Sequence, residues 1–252
     1  MKLVQILKYL DDFFNISNFS SSDPSQNGLQ VESSDEITKI GTAVDACMES
    51  FEGAANEKVD LLIVHHGLFW GKSLTITSMH GKRISYLIKN NISLYALHLP
   101  LDMHIKLGNN AQIAQMLSLE VDKPFGDYHN LQIGVQSTYK TPVPFENVVK
   151  KVEEIFKTKS FLLNFGPQKI KKIAIVSGGG ASEITLAAKK KMDLLITGEI
   201  GHGDYHIAKE LGINVIAAGH YATETVGVKA LGEHLKEKFG IPHIFIDKPT
   251  GM

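Results

Sequence analysis

A single arrangement of residues occurs twice in this chain, in register, and it leaves few architectures open. Lys58-Val-Asp60-Leu-Leu-Ile-Val-His65-His66 in the first half is matched by Lys191-Met-Asp193-Leu-Leu-Ile-Thr-Gly198-Glu199 in the second. Upstream, Ile37-Thr-Lys-Ile40 is matched by Ile170-Lys-Lys-Ile173. The step from Ile40 to Asp60 equals that from Ile173 to Asp193, twenty residues in both. Downstream, Asn91 to His98 and Asp102 is matched by Gly212 to His220 and Glu224. Each apolar run is short and continuous, the pattern of a strand buried on both faces of a parallel sheet. The repeat therefore reads as a βαβ-type unit used twice. The expected fold class is α/β, with two similar α/β domains from an internal duplication.

Around that repeat the chain orders itself simply. Leu3, Ile6, Leu7, Leu10 and Phe14 recur at spacings of three and four and predict a first helix that stops in the polar stretch Ser20 to Ser25. Strands are expected at Ile37–Val44, through Val59 to Ile63, and at Ile92–Leu97, with helices at Glu49–Lys58, Gly81–Asn90 and Asn109–Leu117. Ile84, Leu87 and Ile88 should face inward. Pro100 blocks a regular continuation of the third strand, which puts His98 and Asp102 in a loop. Lys123-Pro124-Phe125-Gly126 and Thr141-Pro142-Val143-Pro144 punctuate the chain and suggest a boundary near 123–127. The expected division is residues 1–124 with 219–252 as the first domain and 125–218 as the second. A short strand is expected at Leu131–Val135, a helix at Glu146–Phe156, a closing helix at Ala222–Lys238 and a last strand at His243–Ile246.

Composition removes several function classes. One cysteine, Cys47, allows neither an intrachain disulfide nor a zinc site built on several thiolates. The amphipathic start does not read as a signal peptide, and no apolar run approaches the roughly 20 residues of a membrane span; a cytoplasmic protein with no membrane partner is expected. The formal net charge of −1 hides an uneven distribution. Between Lys140 and Lys191 stand eleven lysines and four acids, a local excess of seven positive charges. Arg83 is the only arginine. Guanine readout in DNA depends mainly on arginine, so any nucleic-acid binding should be non-specific.

The chemistry lies at the predicted strand ends, where ligands collect in open α/β sheets. His65, His66, His98 and Asp102 come from the first copy, His220 and Glu224 from the second. Four imidazoles and two carboxylates exceed what one tetrahedral ion takes, and suit a pair of borderline divalent ions: zinc, iron, manganese or nickel. A carboxylate such as Glu224 can bridge two ions. Neighbouring residues on an extended strand point oppositely, so His65 and His66 should serve different ions. Glu199 and His206, beyond a strand of the second copy, are candidates for a general base or a substrate contact. Ser177-Gly178-Gly179-Gly180 could cradle an anion, but without the Lys-Ser/Thr of a P-loop it reads better as a tight βα turn.

Asn27-Gly28-Leu29-Gln30-Val31, Asp60 to His66-Gly67, His98-Leu-Pro-Leu-Asp102, Thr197-Gly198-Glu199 and Gly219-His220-x-x-x-Glu224 together resemble the NIF-three-like proteins, often named GTP cyclohydrolase I type 2 homologues. The resemblance covers nearly the whole chain. It implies a three-layer NIF-three-like fold with a dinuclear metal site between two α/β domains, assembled as a homohexameric ring, a trimer of dimers. It places metal ligands on His65, His66, Asp102, His220 and Glu224, with His98 close by. Two functions are then expected to compete. One is a metal-dependent hydrolase acting on a nucleotide-like or phosphorylated small molecule, with Glu199, His206 and His98 as its catalytic side chains. The other is a ring-shaped protein that binds DNA without sequence preference and keeps its metals for structure.

Overall fold

The computed structural model describes residues 1–19 and 21–252; Ser20, where the first helix was expected to stop, lies outside the described residues. Helix α1 (Leu3–Phe14) buries Leu3, Ile6, Leu10 and Phe14 on one face. It ends at Phe14, earlier than expected, because Asn15 turns to a left-handed φ of 51° and its N–H closes onto the carbonyls of Asp11 and Asp12. There follow β1 (Gly28–Val31), β2 (Ile40–Asp45), α2 (Met48–Asn56), β3 (Leu61–His66), α3 (Ser78–Lys89), β4 (Ser93–Ala96) and the short α4 (Leu99–Asp102). Then come α5 (Asn109–Met116), β5 (Lys123–Phe125), β6 (Gly134–Pro144), α6 (Phe145–Phe156), β7 (Phe161–Asn164) and β8 (Lys169–Val176). The chain continues with α7 (Ile184–Lys189), β9 (Leu194–Thr197), α8 (Asp204–Leu211), β10 (Asn214–Ala217), α9 (His220–Phe239) and β11 (His243–Phe245). No helix among the described residues is long and apolar enough to cross a membrane.

Contacts group the chain into two units, Met1–Leu107 with Gly227–Lys248, and Gly108–Val226 with Pro249–Met252. The changes fall at 107/108, inside α9 at 226/227 and at 248/249, where the sequence suggested 124/125 and 218/219 alone. The first shift has a packing reason: Ile113, Ala114 and Leu117 belong to the core of the second unit, with Val135, Ile173 and Ile196.

The first unit holds a five-stranded sheet in the order β1-β4-β3-β2-β11, parallel except for β1. Its middle strand is the apolar run the sequence singled out. Leu61, Leu62, Ile63 and Val64 are fully buried, each worth roughly 1.5–3 kcal/mol of transfer free energy. On α3, Leu87 is buried as expected, but Ile88 is 55% exposed because it lies a further 100° or so round the helix.

The second unit holds a six-stranded sheet in the order β5-β6-β8-β9-β10-β7. β8, β9 and β10 are parallel; β6, β5 and β7 are antiparallel additions. Two segments read as punctuation are strands here. Pro124 sits in an edge strand, and Thr141 to Pro144 end β6, beyond the reach of β5, which pairs only with Gly134–Gln136. A prolyl nitrogen facing an unextended edge costs no ladder bond, which is why proline survives in both places.

The two copies repeat one device. Asp60 accepts the N–H groups of Thr38 and Lys39, and Asp193 accepts those of Lys171 and Lys172, at distances of 2.7–3.1 Å. Each carboxylate ties the entry of one strand to the start of its parallel neighbour. That explains the same residue in the same place twice.

A stack of rings in the first unit makes its stability sensitive to acid. Phe13 lies between His104 and His234, with centroids 4.9 and 5.1 Å away, and Tyr9 Oη meets His234 Nε2 at 2.5 Å. Burial pushes both imidazoles below their usual pKa, helped by the charge of His234 at His104 and by that of Lys238 at His234. The unfolded chain therefore binds more protons than the folded one as pH falls below about 6.5. The stack's contribution to urea resistance should be constant above neutrality and decline from about pH 6.5 towards 5. A His104→Phe variant, which keeps the stack without the titration, should show a shallower decline; an identical pH profile would contradict this account.

Candidate metal centre

In the first unit the parallel strands β3 and β4 end side by side, and both deliver imidazoles there. His65 and His66 are the last two residues of β3, where the sequence placed them just past it. His65 is fully buried and its Nδ1 lies 3.0 Å from the carbonyl oxygen of Leu97, an atom that only accepts, so Nδ1 carries the proton. His66 Nδ1 lies 2.8 Å from Asp45 Oδ1, at the end of β2. His98 Nδ1 lies 2.8 Å from Asp23 Oδ1, and the His98 backbone N–H donates to Asn27 Oδ1 at 2.7 Å.

Residues after His98 form α4 instead of a loop. Pro100 occupies its first turn, where the missing N–H has no helical partner to lose. The helix brings Asp102 Oδ2 to 3.4 Å from His65 Nε2. His65, His66 and His98 each offer a ring nitrogen within 4.8 Å of the other two. Strand alternation alone would have sent His65 and His66 apart. Their Nδ1 partners, on β4's side for His65 and on β2 for His66, bend the rings so that the centroids lie 4.8 Å apart. Gly67 follows because nothing larger fits: a Cβ there would lie 2.6 Å from that of Ala96 and collide with the Gln30 amide, whose oxygen accepts the Leu68 N–H.

In the second unit α9 opens with His220, one turn before Glu224. His220 Nε2 lies 3.3 Å from Glu224 Oε1, and its Nδ1 lies 3.2 Å from Glu199 Oε1. Hydrogen bonding to Glu224, opposed by burial and reinforced by the charges of both carboxylates, pushes the His220 pKa up to about 9. Any cation that binds here displaces that proton. Gly178, at a φ of +60°, faces this pair; a Cβ on it would collide with Glu224 Oε1 and lie 3.1 Å from His220 Nε2. The glycine keeps open the space in front of the two donor atoms. The same turn is no anion cradle, since the N–H groups of Gly178 and Gly180 are given to Thr223 Oγ1 and Thr197 Oγ1, both at 3.0 Å.

One rule covers all four histidines: Nδ1 is held by an acceptor, and Nε2 is the nitrogen presented. Metal-binding imidazoles are oriented this way in general. The donor set of imidazole and carboxylate fits a borderline divalent ion. Two residues of this arrangement went unnoticed in the sequence, Asp23 and Asp45, and Gly178 was read only as part of a tight βα turn. Asp45 had a signal, since it ends β2 as His66 ends β3, and the two are register partners. Asp23 had none, being 75 residues from the His98 it holds. Glu199, read as a base, touches His220 as its orienting carboxylate. His206 stands on α8, edge-on to Tyr205 and His202.

The chain matches the family described as Duf34/NIF3 (NGG1p interacting factor 3) over residues 1–251. A Pyrococcus horikoshii protein named "GTP cyclohydrolase 1 type 2 homolog" is 47% identical over 98% of each chain. A homologue of the same name from Archaeoglobus fulgidus is 41% identical over 100% of each. The crystal structure of TTHA1606 from Thermus thermophilus superposes with a TM-score of 0.91 at 40% identity, covering 100% of both chains.

Proposed function

This chain belongs to the Duf34/NIF3 family, and from that premise we propose that it binds two divalent metal ions and uses them in hydrolysis of a nucleotide-like or phosphorylated small molecule. His65, His66, Asp102, His220 and Glu224 hold the ions, which are zinc, iron, manganese or nickel by the softness of their donors. The carrying observation is the convergence of the His65, His66 and His98 nitrogens, with Nδ1 of each held by its own acceptor. When bound, such ions supply Lewis-acid polarisation of a phosphoryl or carbonyl oxygen. The chain's own residues orient and exclude. Asp45, Asp23 and Glu199 fix three imidazoles, and His65 and Asp102 are buried. In this reading His98 passes a proton through Nε2, a role supported by the tie of its Nδ1 to Asp23.

The test is metal content per chain, by plasma mass spectrometry, on untagged protein never exposed to chelator. About two equivalents are expected, and a His66→Ala/Glu224→Ala variant should lose them. A folded chain that neither carries metal nor takes it up on reconstitution would overturn the reading. The assembly we expect is a cytoplasmic homohexameric ring, measured by native mass.

Non-specific DNA binding by such a ring, with the metals structural, is a second reading. It is favoured by one observation: all eleven lysines from Lys140 to Lys191 are exposed. Phosphate-dominated binding must weaken steeply with salt, so association that is absent at low ionic strength or indifferent to salt would dismiss it.

A further inference from the structure

Gly178 sits at a φ of +60°, in a region where a glycine backbone is free both to settle and to move. The turn that contains it is nevertheless tied down by its neighbours in the second unit. Ser177 N–H donates to Asn110 Oδ1 at 2.7 Å, Gly178 N–H to Thr223 Oγ1 at 3.0 Å, and Gly180 N–H to Thr197 Oγ1 at 3.0 Å. The Gly178 carbonyl accepts the N–H groups of Gly198 and Glu199, at 2.9 and 3.1 Å, and the Thr197 hydroxyl at 3.2 Å.

Thr223 differs from the other partners in its position. It stands on α9 between the two candidate ligands, three residues after His220 and one before Glu224. The residue is fully buried and its hydroxyl is used in both directions. The proton goes to the carbonyl oxygen of Gly219 at 2.9 Å or of His220 at 3.0 Å, and the oxygen accepts the Gly178 N–H. A bond back to the helix's own preceding turn is common for threonine. The bond from Gly178 is not local, since it joins residues 45 apart in the chain. Gly198 leaves room for it: a Cβ there would lie 2.8 Å from Thr223 Oγ1.

We propose that Thr223 is a positioning residue of the metal centre, whose hydroxyl holds the Gly178 turn where His220 Nε2 and Glu224 Oε1 stay open to a cation. The inference rests on the metal reading above. The tolerance is narrow, because a single Cβ on Gly178 would already overlap Glu224 Oε1. A turn that drifts towards α9 fills the space in front of the donors. One that drifts away leaves the buried Gly178 N–H without an acceptor. Valine at position 223 has nearly the shape of threonine but cannot accept, and its methyl group cannot approach a nitrogen as closely as a bonded oxygen does.

The experiment is zinc titration of the full chain against a competing chelator. Thr223→Val should bind zinc about tenfold more weakly than the unmodified chain, and Thr223→Ser, which keeps the hydroxyl, should recover the original affinity. Thr225→Val is the control. Thr225 is also buried on α9 and adjoins Glu224, but its hydroxyl donates only to the Ala222 carbonyl, at 3.0 Å, so zinc affinity should not change. A merely structural threonine would lower resistance to urea and leave zinc affinity alone. Equal affinity in Thr223→Val and the unmodified chain, or equal loss in both valine variants, would overturn the proposal. Amide hydrogen exchange on the metal-free chain reads the turn directly. The Gly178 N–H should be protected in the unmodified chain and in Thr225→Val, and exchange about tenfold faster in Thr223→Val. If Thr223→Val does not fold, exchange in the unmodified chain still decides, because a Gly178 N–H as fast as an exposed amide is held by nothing. An unmodified chain that takes up no zinc removes the metal reading and this role with it; zinc bound equally with and without the Thr223 hydroxyl removes this role alone.

Discussion

Gly178→Ala should produce a folded chain that has lost most of its affinity for metal. The added methyl would occupy the space in front of Glu224 Oε1 and His220 Nε2, which must move or be blocked. Disturbing residues immediately around metal ligands commonly costs about 10–100-fold in affinity, and here the obstruction lies at the donor atoms themselves, so about 100-fold is expected. Backbone strain is a separate and smaller matter. A non-glycine residue at a φ of +60° costs roughly 1–2 kcal/mol, which lowers stability without reaching a metal. Gly212→Ala supplies the control, since Gly212 has a φ of +65° in the same unit and a Cβ there would meet nothing closer than 3.8 Å. Zinc titration against a competing chelator, alongside urea unfolding, separates the two effects. Equal metal affinity in both variants would show that the Gly178 space is not a metal site.

Asp23→Ala should be among the most destabilising single changes in the first unit. Its side chain is fully buried and serves four donors: His98 Nδ1 at 2.8 Å, Leu99 N–H at 3.0 Å, Ser25 N–H at 2.9 Å and Asn27 Nδ2 at 2.8 Å. Alanine would leave all four without this acceptor in a region that water does not easily reach. A loss of about 3–5 kcal/mol is expected, the range for breaking a buried charged pair. Burial alone would raise this carboxyl, but the hydrogen bond and charge of His98, with Asn27 and Ser25, hold it below the usual range. Its contribution is therefore complete above about pH 4 and fades as pH falls through the lowered value. Asp45→Ala makes the contrast. Asp45 is 35% exposed and holds only His66 among these rings, so it should cost under about 1 kcal/mol while weakening metal about tenfold or more. Urea unfolding of both variants decides the matter, and a loss at Asp23 no larger than that at Asp45 would refute the ranking.

What could be read from the sequence followed from periodicity. Continuous apolar runs such as Leu61–Val64 and Leu194–Ile196 have one stable use, as buried parallel strands, and the structure has them there. Failures came where a local signal had two outcomes. Pro124, Pro142 and Pro144 mark either a loop or an unpaired edge, and only the neighbouring strand's length distinguishes them. Pro100 either stops a chain or starts a helix, and here it starts one. At the offset that pairs Asp60 with Asp193, Asp45 falls on Gly178 and His66 on Glu199. The two copies thus share a scaffold and differ at their strand ends, where chemistry is placed.

The sequence by itself determined the α/β class, the strands that carry the histidines, and the residue types that could hold a cation, because burial and donor chemistry are properties of residues and their spacing. Tertiary structure alone decided which nitrogen each imidazole presents. That choice rests on Asp23, Asp45, Glu199 and the Leu97 carbonyl, partners brought within about 3 Å by the fold from up to 75 residues away. A hydrogen bond is directional and short-ranged, and no spacing along a chain encodes it.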